Sequence, residues 1–306
     1  MTALAAPDSR RFGILIGGAG MLMFALNDVL GKWLVATYPP AQVVLLRGAA
    51  ALGLLAILMI RSRTPLLPVE RPRLQALRAF ASAFEVVAFY AAVVTLPLAD
   101  VMTYWLAAPI YVAALSPWLL GERVGPWRWG AILLGFAGVL LALRPGAGGG
   151  LSPAVLLSLG GSVAFAAMIL LARTLRGTPD TALVFWQTAG STLVAAVLAP
   201  FAWVTPPALD LALISLLGIV ALGGHLAVTR ALKLADAAAI TPLQYTLLPW
   251  GILFGWLVFG DVPGLPVLLG GGLIIVAGVI LVFREELARR RAGQPAATAD
   301  RPGDLP

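Results

Sequence analysis

The sequence predicts an all-α membrane protein: ten transmembrane helices arranged as two inverted five-helix repeats around a central cavity. Three observations carry that expectation. The composition is too apolar for a water-facing surface, lysine and arginine fall on one side of the expected membrane, and a series of short motifs recurs at a near-constant offset.

Of 306 residues, 60% are hydrophobic and only 11% charged, with a mean hydropathy of +0.94. A soluble domain carries about 25% charged residues, because its surface must be solvated. Here lipid has to be the solvent for most of the chain, and lipid asks for helical runs of about 20 apolar residues. The net charge of +7 is therefore a question of where the charges sit, and it gives no reason to expect a nucleic-acid partner. The absence of cysteine excludes disulfides, thiolate metal sites and cysteine catalysis. One histidine makes a histidine-rich metal site untenable. No cofactor is expected. The stretch from Met1 to Arg11 leads into an apolar run long enough to span, so no cleavable leader is expected either.

Ten apolar runs follow in order, over 12–34, 43–60, 74–95, 99–120, 127–143, 153–172, 181–203, 211–232, 237–259 and 266–283. Proline, glycine and charge separate them, as in Tyr38-Pro39-Pro40, Arg144-Pro145-Gly146 and Thr205-Pro206-Pro207. In hydrocarbon the backbone must satisfy its own hydrogen bonds. The runs lack the period-two alternation of a barrel, so they read as helices. With the N-terminus inside, the cytoplasmic segments hold Arg10, Arg11, Arg61, Arg63, Arg71, Arg73, Arg123, Arg128, Arg173, Arg176, Arg230, Lys233, Arg284, Arg289, Arg290, Arg291 and Arg301. The external segments hold Arg144 alone, and Lys32, Arg47 and Arg78 fall within helices. So strong a bias predicts an even number of spans, both termini cytoplasmic, in a bacterial inner membrane.

The repeat is legible in the motifs. Leu98-Ala99-Asp100 recurs as Leu234-Ala235-Asp236, and Gly121-Glu122 as Gly260-Asp261. Ala137-Gly138-Val139-Leu140 recurs as Ala277-Gly278-Val279-Ile280, each followed by an arginine, Arg144 or Arg284. Pro39 through Arg47 aligns with Pro179 through Gln187, and the offset stays between 136 and 140 residues. These landmarks divide the chain into repeats at 1–146 and 147–284 and a polar cytoplasmic tail at 285–306. Five helices per repeat is odd, so the halves insert in opposite senses. A substrate site is then expected near mid-bilayer, where the halves meet.

With Leu-Ala-Asp, a mid-helix proline in each half (Pro109 and Pro249), Leu120-Gly121-Glu122 and a glycine-rich helix closing each half, the chain resembles the drug/metabolite transporter superfamily. Within it, the similarity is to the ten-helix EamA-type proteins over nearly the whole length. The resemblance implies two bundles around a central cavity and export of small metabolites, often amino acids. Among members the chain is most similar to aromatic amino acid exporters, with multidrug or sugar-derivative carriage as the alternative. The second half departs in Phe259-Gly260-Asp261 and in Gln187 at the position matching Arg47.

Charges at bilayer depth cost about 2.5–3.5 kcal/mol each on the insertion scale, so each needs a reason. Asp28 and Lys32 stand one turn apart on the first helix and can pair. Arg47 on the second helix lies at similar depth. The cluster reads either as a structural tie or as a substrate-carboxylate site, and Lys32 can also snorkel outward. Glu85, the deepest carboxylate, suits a proton-coupling group or a buried hydrogen-bonded acid. His225 reads as a packing or hydrogen-bonding residue or as a substrate or proton group, and Gln187 and Gln244 as either interhelical bonds or ligand contacts. Tyr104 and Tyr111 share one face of the fourth helix, Tyr90 lies nearby, and Trp186, Tyr245 and Trp250 complete a set of mid-depth rings that reads either as a site for a flat amphipathic substrate or as core packing. Trp33, Trp127, Trp129 and Trp203, near helix ends, read as interfacial belt residues. Without a Walker Gly-Lys-Ser/Thr there is no ATP site, and without Gly-x-Ser-x-Gly or His-Glu-x-x-His no intramembrane hydrolase. The expected partners are a small-molecule substrate and the lipid bilayer. A channel is the remaining rival, and the oligomeric state is left open.

Overall fold

Proline sets where most helices begin. Lacking an N–H, it sits without cost in a first turn and presets the helical φ. The helices α2 (Pro40–Ser62), α3 (Pro72–Val93), α5 (Pro126–Leu143) and α6 (Pro153–Thr174) all open on it. The carbonyls of Pro39, Pro97 and Pro179 accept the first bonds of α2, α4 (Leu98–Trp105) and α7 (Asp180–Leu198). The other α-helices among the described residues are α1 (Pro7–Val35), α8 (Ala208–Leu234), α9 (Leu247–Phe254) and α10 (Leu265–Gly293). The structure is a computed structural model and describes residues 7–63, 71–108, 110–112, 114–115, 125–143, 151–175, 178–234 and 241–293. Among these residues there is no strand.

Among the described residues six helices are long and apolar enough to cross a membrane, namely the first three of each half. The last two of each half form the four shorter apolar stretches, Leu98–Val112, Trp129–Ala142, Leu243–Phe259 and Leu265–Ile280. The packing obeys the same two-fold rule. α1 packs on α8 as α6 packs on α3, α2 on α8 as α7 on α3, and α4 on α6 as α9 on α1. α2 meets α7, and α5 meets α10, each helix packing on its own repeat mate. At the α5–α10 crossing the backbones nearly touch. A Cβ added at Gly138 would lie 2.7 Å from the Gly270 carbonyl oxygen, and one at Gly270 would lie 2.5 Å from that of Gly138. Only glycine permits that approach.

The fourth span of each half is broken where the sequence predicts a continuous helix. α4 ends in a turn at Leu106–Ala107 before helix resumes around Ile110–Val112. Its counterpart is a 3₁₀ turn (Thr241–Thr246), then α9, then a π turn (Gly255–Phe259) closed by Gly260 at φ 71°. Pro249 lies in the first turn of α9, where its missing N–H goes unneeded, so it is no mid-helix kink. Pro109, Leu120-Gly121-Glu122, Arg144 and Asp236 lie outside the described residues. α10 also runs past the expected end at 283 to Gly293, into the stretch expected to be tail.

Candidate functional site

A cavity of about 420 Å³ lies between the halves, walled by α1, α2, α3 and α4 on one side and α6, α7, α8 and the Thr241–Thr246 turn with α9 on the other. Toward the end bearing the Pro39 turn it stops at Asp28, Val44 and Tyr90. Beyond them Leu34, Val43, Val93, Leu98, Val101 and Leu217 form a buried plug. In the opposite direction the cavity extends to Arg78, Leu183, Val228 and Gln244.

Seven of the residues singled out from sequence line it: Asp28, Arg47, Glu85, Tyr90, Gln187, His225 and Gln244. Arg47 donates to the Tyr90 hydroxyl and lies 5.4 Å from that ring's centre. The Tyr90 hydroxyl in turn reaches Asn27 Oδ1 at 3.5 Å, and Asn27 Nδ2 donates to the Leu217 carbonyl at 2.7 Å. One polar chain thus joins α2, α3, α1 and α8. Arg47 is within electrostatic range of both Asp28 and Glu85 but pairs directly with neither. Glu85 Oε1 instead accepts from Trp105 Nε1 at 2.9 Å, and His225 meets Phe24 edge-on at 4.9 Å.

Lys32 departs from the expected partnership with Asp28. Its Nζ bonds Asp261 Oδ2 at 2.6 Å, donates to the Leu96 carbonyl at 3.3 Å and sits 4.7 Å over the Phe259 ring. The four-residue spacing does share a face, but the long lysine chain follows the helix toward the Pro39 turn, to a carboxylate at the cavity's closed end. This is the single ion pair among the described residues. Two further ties join the halves at that end. The Tyr38 hydroxyl donates to Asp210 Oδ2 at 2.5 Å, and Gln42 exchanges two hydrogen bonds with the Val204 backbone, at 2.5 and 2.9 Å.

Five of the expected rings stand off the cavity wall. Tyr104 is buried with Ala142 and Val155, and Tyr111 packs 5.6 Å from Phe136. Tyr245 presses on Gly278, where a Cβ would collide with its hydroxyl. Trp186 meets Phe185 edge-on, and Trp250 stacks on Phe254. Depth in the bilayer selected these residues, but depth does not say which way a helix is turned. The rings on the wall are Phe24, Phe89, Tyr90, Trp105 and Phe165, with Phe89 edge-on to both Tyr90 and Trp105. A signal was present for one of them, Phe89. Arg78, Ser82, Glu85 and Phe89 recur at helical spacing on α3, and all four line the cavity.

The model of the EamA-like transporter family matches residues 11–144 and again 152–284. The chain is 27% identical to a riboflavin transporter of Rhizobium johnstonii, covering 95% of this chain and 97% of that one. It is 28% identical to the pseudopaline exporter CntI of Pseudomonas aeruginosa, covering 90% and 97%. It is 23% identical to an S-adenosylmethionine uptake transporter of Rickettsia conorii, covering 90% and 95%. A solved crystal structure shares the fold with a TM-score of 0.64 at 17% identity, over 93% of this chain and 99% of that one.

Proposed function

Since this chain belongs to the EamA-like transporter family, and is thus a multi-pass bacterial membrane transporter and not an enzyme, we propose that it exports amino acids, aromatic ones preferred, by alternating access. The observation that carries this reading is the cavity between the halves. Its volume of about 420 Å³ falls in the range of small-molecule sites. Its wall combines a cluster of aromatic rings with two carboxylates and two guanidinium groups, a lining that matches a molecule with a flat ring and charged ends. In the same reading the repeats span 1–146 and 147–284, both termini are cytoplasmic, and the Lys32–Asp261 end faces outward. The breaks in the fourth span of each half supply places to bend.

Counterflow in proteoliposomes tests the substrate. Saturable exchange of labelled tryptophan or phenylalanine, faster than that of alanine, is expected. Exchange of none of the aromatic amino acids would overturn the reading. Riboflavin belongs in the same panel, because the relative of that name keeps a ring-bearing vitamin as the second reading. Uptake and export both occur among the relatives' names, so direction is tested separately, by loading the vesicles. A periplasm-active reporter fused after Arg284 should stay silent, and activity there would refute the orientation.

A further inference from the structure

Arg78 is the seventh residue of α3, roughly 9 Å along the helix from its start. An arginine at that depth ordinarily snorkels to the interface or pairs with an acid. Arg78 does neither. It is only 7% exposed, and its guanidinium turns across the gap between the halves to α7. There Nη1 donates to the Leu183 carbonyl at 2.9 Å and Nη2 to Gln187 Oε1 at 2.8 Å. Both acceptors are neutral. A guanidinium has five N–H donors, and Nε is buried without a partner. Among the described residues no carboxylate acts on it.

Arg47 differs on each point. It is braced by Tyr90 and lies within reach of the fields of Asp28 and Glu85. Among the described residues, the cavity therefore holds one cation whose charge is answered by protein groups and one whose charge is not. The position of the second is fixed by close packing. α3 and α7 cross at Gly190, where an added Cβ would come 2.5 Å from the Ala79 Cβ, next in sequence to Arg78. Arg78 and Gln187 both line the cavity, at its end away from Asp28.

We infer that Arg78, held by Gln187 and the Leu183 carbonyl, is the cavity's carboxylate-binding group, and that the missing counter-ion is the acid of the transported molecule. A buried guanidinium without a counter-charge is costly, and a carboxylate supplies both the charge and the paired acceptors of a forked bond. Gln187 has a defined part: an amide oxygen orients the fork without neutralising it. The second repeat's glutamine in place of Arg47 thus keeps the site open to an acid that enters with the substrate.

This inference deepens the proposed substrate reading, and its test separates the two. Purified protein in detergent is titrated with acid and amide partners: tryptophan and tryptophanamide, leucine and leucinamide, indole-3-propionate and indole-3-propionamide. The acid–amide axis tests Arg78, and the ring–aliphatic axis tests the aromatic reading. Wild type should bind each acid it recognises about tenfold or more tighter than its amide. Arg78→Gln should erase that preference, and Arg78→Lys should keep part of it. Gln187→Glu is the decisive variant should Arg78→Gln fail to fold. It places a carboxylate on the guanidinium from within, so the protein should stay folded and lose its preference for acids. A merely structural Arg78 would tolerate that change with the preference intact, which would overturn the inference. So would equal affinity for acid and amide in wild type, or no response to any acid in the panel. Leucine binding as well as tryptophan would instead sink the aromatic reading and leave Arg78 standing.

Discussion

Neutralising Asp261 should open the end of the transporter that this structure holds shut. The Lys32–Asp261 bond, at 2.6 Å, joins the first helix of one half to the segment after α9 in the other. Its side chains are 13% and 30% exposed, between a surface pair and a buried one. Exposed pairs contribute about 0–1 kcal/mol, whereas breaking a buried pair costs about 3–5 kcal/mol. A value of about 1–3 kcal/mol follows for this one, with Leu96 and Phe259 still solvating the lysine in the variant. If the pair exists only in the closed arrangement, Asp261→Asn raises the open-to-closed ratio by about 5- to 150-fold. The chain has no cysteine, so Ser191→Cys on the cavity wall supplies the only thiol. With the Lys32–Asp261 end outward, as proposed above, and while the open state is the minor one, labelling by an impermeant maleimide from outside intact cells scales with its population. Asp261→Asn should therefore accelerate labelling several-fold at least. The swap of Lys32→Asp with Asp261→Lys should bring it back toward wild type. Labelling unchanged by Asp261→Asn, or a swap that restores nothing, would refute the latch.

Trp105→Ala should raise the half-saturation concentration for tryptophan about two- to tenfold, and more than for alanine, since a good ring contact contributes about 0.5–1.5 kcal/mol beyond area burial. Tyr111→Ala and Trp250→Ala, whose rings stand off the wall, should lower thermal stability in detergent and leave that selectivity unchanged. If export is proton-coupled, Glu85→Gln should abolish the dependence on a pH gradient while substrate exchange persists; unchanged pH dependence would make Glu85 structural. Gly218→Ala puts a methyl 2.0 Å from the Arg47 carbonyl oxygen, and overpacking of this kind costs about 1–3 kcal/mol, whereas Gly53→Ala, facing open space, should leave the denaturation midpoint nearly unmoved.

The architecture was legible because lipid enforces it. A run such as 43–60 has no alternative to a helix in hydrocarbon, and Pro39, Pro97 and Pro179 mark where helices start. The repeat was legible too, since Leu98-Ala99-Asp100 recurs as Leu234-Ala235-Asp236 and Gly121-Glu122 as Gly260-Asp261, and the family model matches the chain twice, over 11–144 and 152–284. The family followed from those same short motifs.

Which residues meet in the cavity was decided by rotation about each helix axis, and that is a property of packing. Hydropathy gives depth, and depth placed Tyr111 and Trp250 on equal terms with Tyr90 and Trp105. Only the crossing of α3 with α7 and of α2 with α8, set by Gly190 against Ala79 and Gly218 against the Arg47 backbone, turns Tyr90, Glu85 and Arg78 inward together. Lys32 shows the same limit from another side. Its spacing from Asp28 was a true local fact, yet its partner is 229 residues away, because a flexible cation takes the best-placed carboxylate in three dimensions, and sequence neighbourhood has no say in that choice.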